Sequence, residues 1–227
     1  MQPHEFWQRL YAPETFKVDA EHNSFYPATL DDGRQLQLPI RQLSDKKHAL
    51  ASLIVNQAAF DVADALANDL AAKLKAFAPD VVVGLPTLGL TLASEVARKL
   101  GHSRYVPLGT SRKFWYEEEL SVPLSSITTP DQIKRLYIDP RMLPLLENSR
   151  IALVDDVISS GTSIVAALNL LNSRSLKPVV IGAAMLQTQR WRSVLEPFGA
   201  EYAQIVQGCF TTPILERTDN DCWRAGV

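Results

Sequence analysis

The chain holds 227 residues, 46% hydrophobic and 21% charged, with a formal net charge of −2 and no basic block. That is enough apolar material for one sizeable globular domain, and the balance of charge does not advertise a nucleic-acid partner. Only two cysteines occur, Cys209 and Cys222, no apolar stretch reaches about 18 residues and no signal-like N-terminus is present, which argues against structural zinc and a membrane role and for a soluble cytoplasmic protein.

From the N-terminus, His4 to Tyr11 is a short amphipathic piece with Phe6, Trp7 and Leu10 on one face, expected to pack as an arm on a neighbour or on the core. Phe25 to Leu30, a turn at Asp31-Asp32-Gly33-Arg34, and Gln35 to Ile40 read as a hairpin. The alternation Gln35-Leu36-Gln37-Leu38 predicts a half-exposed second strand. Leu50 to Val55 reads as a strand and Asn56 as an N-cap. From Gln57 to Phe77 the apolar residues Phe60, Val62, Ala63, Leu66, Leu70, Leu74 and Phe77 recur at helical spacing, and Pro79 stops the helix.

Val81-Val82-Val83 begins a buried strand that closes on Gly84-Leu85-Pro86-Thr87-Leu88-Gly89, with a helix from Leu90 to Leu100. Gly84 and Gly89 have the spacing of a P-loop, but the chain continues Leu90-Thr91, so the phosphate-binding lysine is missing and a Walker ATPase is a poor fit. Tyr105-Val106-Pro107 reads as a strand, followed by Gly109-Thr110-Ser111-Arg112-Lys113. Phe114 to Pro130 is irregular, with Glu117-Glu118-Glu119 read as solvated loop. Lys134 to Asp139 is a returning strand and Pro140 to Leu146 a short helical turn.

The most informative stretch is Ile151 to Ser163. Ile151 to Val154 is a short buried-strand pattern, Asp155 and Asp156 follow at its carboxyl end, and Ser159-Ser160-Gly161-Thr162-Ser163 opens an amphipathic run to Asn172. Backbone N–H groups and hydroxyls at such a turn suit a phosphate, and the helix dipole adds attraction. Two carboxylates would repel that phosphate, so they must face something else. A sugar phosphate meets both demands. Further on, Pro178 to Leu186 reads as a strand, Trp191 to Phe198 as a short helix, Tyr202 to Val206 as a strand, and the tail from Gly208 carries Phe210 and Trp223. The alternation predicts an α/β fold, a doubly wound parallel sheet with ligands at the strands' carboxyl ends.

The thirteen residues Ile151 to Ser163 resemble the PRPP-binding motif of the type I phosphoribosyltransferases, which bind 5-phosphoribosyl 1-pyrophosphate. The resemblance implies that Asp155 and Asp156 hold the ribose hydroxyls and that Ser159, Ser160, Gly161, Thr162 and Ser163 hold the 5-phosphate. It makes Leu85, Pro86, Thr87, Leu88 and Gly89 the pyrophosphate loop, and Arg112 and Lys113 cations for the pyrophosphate, with a solvated basic pair as the alternative. A mobile loop would lie at about 114–130. The family's hood over the base would come from the arm and hairpin, 1–48, or from the tail, 208–227, with 49–207 as the core. Phe25, Tyr26 and Phe210 are then candidates to stack on the base, ordinary packing being the alternative. Mg2+ would bridge PRPP oxygens, with Asp155 and Asp156 as direct or indirect ligands, and a homodimer is expected.

The implied reaction transfers the phosphoribosyl group to a nitrogenous base with release of pyrophosphate. Hypoxanthine-guanine members usually carry an Asp where this chain has Ser159, and orotate members a lysine in the pyrophosphate loop, so a purine, adenine first, is favoured. The alternatives are a PRPP- or nucleotide-binding regulator on the same fold, and a transferase for a non-purine acceptor such as orotate.

Overall fold

The computed structural model describes residues 2–124 and 134–226. Its centre is a five-stranded parallel sheet in the order β10-β9-β8-β4-β5, made of β4 (Val81–Gly84), β5 (Val106–Pro107), β8 (Ile151–Ile158), β9 (Pro178–Gln187) and β10 (Val206–Thr212). Continuous apolar runs produce it because both faces are covered. Along β8, Ala152 and Val154 enter one core, and Ile151 and Leu153 enter the other. The first core lies under α1 (Phe60–Lys75) and α2 (Gly89–Lys99), and the second under α3 (Thr162–Asn172) and α4 (Trp191–Leu195). This is the expected doubly wound architecture.

A second, antiparallel sheet has the order β1-β2-β3-β11-β12, from β1 (Phe25–Thr29), β2 (Gln35–Gln42), β3 (His48–Ala51), β11 (Ile214–Arg217) and β12 (Trp223–Ala225). The hairpin and the tail, offered as alternative subdomains, thus join in one sheet through the pairing of β3 with β11. Residues 208–212 lie in the parallel sheet as part of β10, rather than in the tail. The Gln187 amide donates to Ala51 O at 2.6 Å in a buried bond and fastens the two sheets together.

Several boundaries differ from expectation, each for a local reason. Gln35 and Gln37 are buried, not half exposed, because the N-terminal arm covers their face. Phe16 N donates to Gln35 Oε1 at 2.8 Å, and Tyr11 OH donates to Gln37 Oε1 at 2.8 Å. The arm has one 3₁₀ turn, Pro3–Glu5, with Phe6 and Trp7 buried in the first core of the same chain. The strand expected at Leu50 to Val55 is β3, His48–Ala51, whose pairing stops at Ile40 of β2 and Ile214 of β11. Asn56 falls in a 3₁₀ turn, Val55–Gln57, and the helix starts later, with Ala59 as its N-cap. Phe60, counted on the apolar face of α1, is 92% exposed, because it sits on the first turn outside the packed stripe.

Residues 114–130 are more regular than expected where they are described. A 3₁₀ turn at Glu118–Leu120 leads into β6 (Ser121–Leu124), which pairs with β7 (Lys134–Tyr137), and the remainder of the expected mobile loop lies outside the described residues. Tyr202 to Ile205 forms turns, not a strand. Pairing with β9 begins at Val206, opposite Ile181. Helix α4 is shorter than expected and runs into a 3₁₀ turn, Glu196–Phe198, carrying Pro197.

Candidate functional site

The acid pair, the small-residue turn and the glycine-bounded turn, all candidates from the sequence, gather at the carboxyl edge of the parallel sheet. Strand β8 runs four residues beyond the expected Val154, so Asp155 and Asp156 lie within the strand, not after it. Asp155 pairs in register with Ala183 of β9 and is therefore flanked by sheet. Both carboxyls are buried, at 6% and 9% exposure, and the Asp156 N–H donates to Asp155 Oδ1 at 2.9 Å. Burial pushes the Asp155 carboxyl well above the ordinary range, the charge of Asp156 adds to that, and burial also raises Asp156. Hydroxyl donors brought by a ligand would stabilise the ionised form of the pair, which burial disfavours in the free protein.

The sign of the resulting pH dependence follows from these raised values. The native state holds protons that the unfolded chain gives up in the ordinary carboxylate range. Stability therefore falls as pH rises from about 4 through the native pKa values, and is insensitive to this pair below about 4. The thermal midpoint of the ligand-free protein should fall across that rise, with a shallower slope when both acids are asparagine. Equal slopes would show that the pair titrates normally.

Beyond β8, the turn Ser159–Gly161 leads into α3. Gly161 is the N-cap with φ +81°, a left-handed conformation that glycine adopts without a Cβ penalty. The N–H groups of the first helical turn have no intrahelical carbonyl and face outward from the helix end. A cavity of about 110 Å³ is walled by Asp155 and by Ser159 through Ser163, so one carboxyl of the pair and the turn share one space. Ser160 Oγ and Thr162 Oγ1 lie 2.9 Å apart on its rim. A Cβ on Gly161 would also stand 2.6 Å from Val194 Cγ2. Gly161→Ala should cost about 1 kcal/mol from the backbone and up to about 1–3 kcal/mol from overpacking. Adding Val194→Ala should recover only the packing part, as read by urea unfolding; full recovery would contradict the backbone argument.

The glycine-bounded turn after β4 closes the site from the other side. Leu85 N donates to Val154 O at 2.9 Å, Leu85 is buried, Pro86 and Leu88 are half-buried and Thr87 is exposed. The Pro86–Thr87 peptide is cis. Gly89 opens α2 directly against the acid pair: a Cβ there would lie 2.7 Å from Asp155 Oδ1 and 2.8 Å from Asp155 Cα. The two sequence segments are thus in van der Waals contact, which their separation in the chain did not reveal.

The structure does not join the other candidates to this centre so closely. Arg112 and Lys113 are exposed on the turn after Gly109, and Arg112 Nη1 lies 3.8 Å from Glu118 Oε2. That turn is anchored by Asp139, which accepts from Trp115 Nε1 at 3.2 Å and from Arg141, whose hydrogen bonds hold the carboxyl down to about 2. The Arg141 guanidinium stacks 4.3 Å above the Trp115 ring. Phe210 is buried in the first core, and Phe25 packs edge-on against Phe16. Of the three aromatic candidates, Tyr26 lines a cavity of about 610 Å³ between the two sheets. Its other walls include Thr188, Arg190, Thr212 and Ile214, residues that sequence reasoning missed because they carry no motif and come from separate segments.

Among the described residues no group of three or more His, Cys, Asp and Glu side chains is placed to hold a metal, and no helix is long and apolar enough to cross a membrane. Two carboxylates with hard oxygen donors suit a cation that keeps water and substrate oxygens in its shell, and do not form a cage.

A model of the phosphoribosyl transferase domain matches residues 51–197, more than half of the chain. The bifunctional protein PyrR of Streptomyces coelicolor is 30% identical over 139 residues, covering 60% of this chain and 66%, just under two thirds, of that relative. Two solved structures share the fold. Adenine phosphoribosyltransferase from Thermoanaerobacter pseudethanolicus is 19% identical, over 67% of this chain and 81% of that one, with a TM-score of 0.53. The enzyme of the same name from Giardia lamblia, complexed with 9-deazaadenine, is 18% identical, over 83% of this chain and 93% of that one, with a TM-score of 0.57.

Proposed function

The chain belongs to the phosphoribosyl transferase domain family, and on that premise we propose that it transfers the 5-phosphoribosyl group from PRPP to a nitrogenous base, releasing pyrophosphate. The observation that carries this reading is the cavity in which the buried Asp155 meets the turn Ser159–Ser163, with Asp156 beside it in β8. On this reading the acids accept the ribose 2- and 3-hydroxyls, and the N-terminus of α3 binds the 5-phosphate. Gly89, pressed against Asp155, sets the backbone from Leu85 to Leu88 beside the anomeric carbon, where pyrophosphate leaves. Arg112 and Lys113, on their exposed turn, supply cations to the departing charge.

The base nitrogen attacks the anomeric carbon as pyrophosphate departs, through a transition state of oxocarbenium character. No protein nucleophile is needed, only positioning and charge neutralisation. Mg2+, when bound, neutralises pyrophosphate oxygens; Asp155 and Asp156 would hold it directly or through ribose hydroxyls and water. Tyr26, on the wall of the cavity of about 610 Å³, would stack on the acceptor. Ser159, where hypoxanthine-guanine members usually carry an Asp, favours adenine among the purines. A homodimer in the cytoplasm belongs to the same reading.

The Streptomyces coelicolor relative is called bifunctional, which supports a second reading, a PRPP-binding regulator on the same fold. The experiment that separates the two is pyrophosphate release from PRPP and Mg2+ in the presence of each common nucleobase. Base-dependent release establishes the transferase; binding of PRPP without release for any base favours the regulator.

A further inference from the structure

We propose that Asp139 is a positioning residue, which through Trp115 braces the turn that presents Arg112 and Lys113 to the pyrophosphate of PRPP; this rests on the role given to those two cations above. The loop from Thr110 to Trp115 is fastened at both ends to one short stretch, Tyr137 to Asp139. At its start, Gly109 and Tyr137 exchange backbone hydrogen bonds of 3.0 and 2.8 Å. Leu108, one residue earlier, donates to Gly84 O at 2.9 Å, which ties this end to the glycine-bounded turn of the site. At its far end, Tyr116 N donates to Lys113 O at 3.0 Å, and the Tyr116 ring packs on that of the buried Tyr137, with centroids 5.6 Å apart.

Trp115 stands between Tyr116 and the cations, and its partner is Asp139. Asp139 is 8% exposed, and its carboxyl accepts from Trp115 Nε1 at 3.2 Å, from Arg141 N at 3.0 Å and from Arg141 Nε at 3.0 Å. The Arg141 guanidinium lies over the same indole, so the ring is held at its edge and on one face. The bonds from Arg141 also keep the carboxyl ionised across any working pH.

Arg112 has a second tie, to Glu118, but that pair spans 3.8 Å between exposed side chains and does little to fix the turn. The brace at Trp115 is what fixes it, while Arg112 and Lys113 stay exposed to a ligand. Cations held in place before PRPP arrives lose less freedom on meeting it, and so bind it more tightly.

The test is calorimetric titration of PRPP with Mg2+ into the full chain. Arg112→Ala with Lys113→Ala should weaken binding about 10-fold or more. Asp139→Asn should weaken it about 5- to 10-fold, and Trp115→Phe, which keeps a ring under Arg141 but loses the donor, about 3-fold or more. With both cations already replaced by alanine, Asp139→Asn should change the affinity less than about 2-fold, because its effect passes through them. A residue that merely supports the fold would show no such dependence. Should Asp139→Asn fail to fold, Trp115→Phe carries the same comparison. Equal weakening with and without the cations, or wild-type affinity in both Asp139→Asn and Trp115→Phe, would overturn the proposal. Wild-type affinity in the double alanine variant would remove the cations' role and the proposal with it. A chain that binds PRPP but consumes no base fails the transferase reading alone, and these affinities still decide whether Asp139 acts through Arg112 and Lys113.

Discussion

The double variant Asp155→Asn, Asp156→Asn should lose about 10²–10⁴-fold in PRPP-dependent turnover while melting at a higher temperature than the wild type. The loss follows from the ribose hydroxyls. A hydrogen bond to a charged group contributes about 1.5–3 kcal/mol, so two such bonds weakened together give roughly 3–6 kcal/mol, with about 1.36 kcal/mol for each factor of ten. The gain follows from burial. Both carboxyls are almost inaccessible and both are pushed up by desolvation, Asp155 also by the charge of its neighbour. Removing those charges relieves the ligand-free fold, and the asparagine Oδ1 still accepts from the residue 156 N–H. Opposite signs in activity and stability are the mark of residues kept for a ligand. Steady-state assays beside thermal melts read both; unchanged turnover, or a lower midpoint, would contradict this account of the pair.

The second large effect is expected from a residue that binds nothing by its own side chain. Gly89→Ala places a methyl 2.7 Å from Asp155 Oδ1 and 2.8 Å from Asp155 Cα. The oxygen could turn aside, but the Cα belongs to β8, which is paired on both sides by β4 and β9. Helix α2 must therefore lift, carrying the turn Leu85–Leu88 away from the acid pair. Overpacking of this kind costs about 1–3 kcal/mol, and a displaced pyrophosphate loop should weaken PRPP about 10-fold or more, since about 1.4 kcal/mol of lost binding is tenfold. Urea unfolding and a PRPP titration check the two parts. If the variant binds PRPP as the wild type does, the contact between α2 and Asp155 is not part of the site.

What the sequence made legible was local and ordered. The strand, acid pair, small-residue turn and helix follow one another from Ile151 to Ser163, so their chemistry could be read without knowing a single tertiary contact. The same holds for the helical stripe from Phe60 to Phe77, whose predicted apolar members are all buried or half-buried except Phe60. Misreadings arose where a partner is distant in the chain. Gln35 and Gln37 alternate like a surface strand, and only the arm at Tyr11 and Phe16 buries them. Hairpin and tail were read as rivals because β3 and β11 lie more than 160 residues apart, yet Leu50 pairs with Ile214. Thr212 and Arg190 were missed for the same reason. Each stands at the end of an ordinary element, and only packing of two sheets makes a cavity between them.

The central claim is most directly tested by measuring pyrophosphate release from PRPP and Mg2+ with each nucleobase in turn, in the wild type and in the Asp155→Asn, Asp156→Asn variant. The account predicts release that requires a base and nearly vanishes in the variant. Release independent of any base, no release with any base, or equal release by the variant would contradict it.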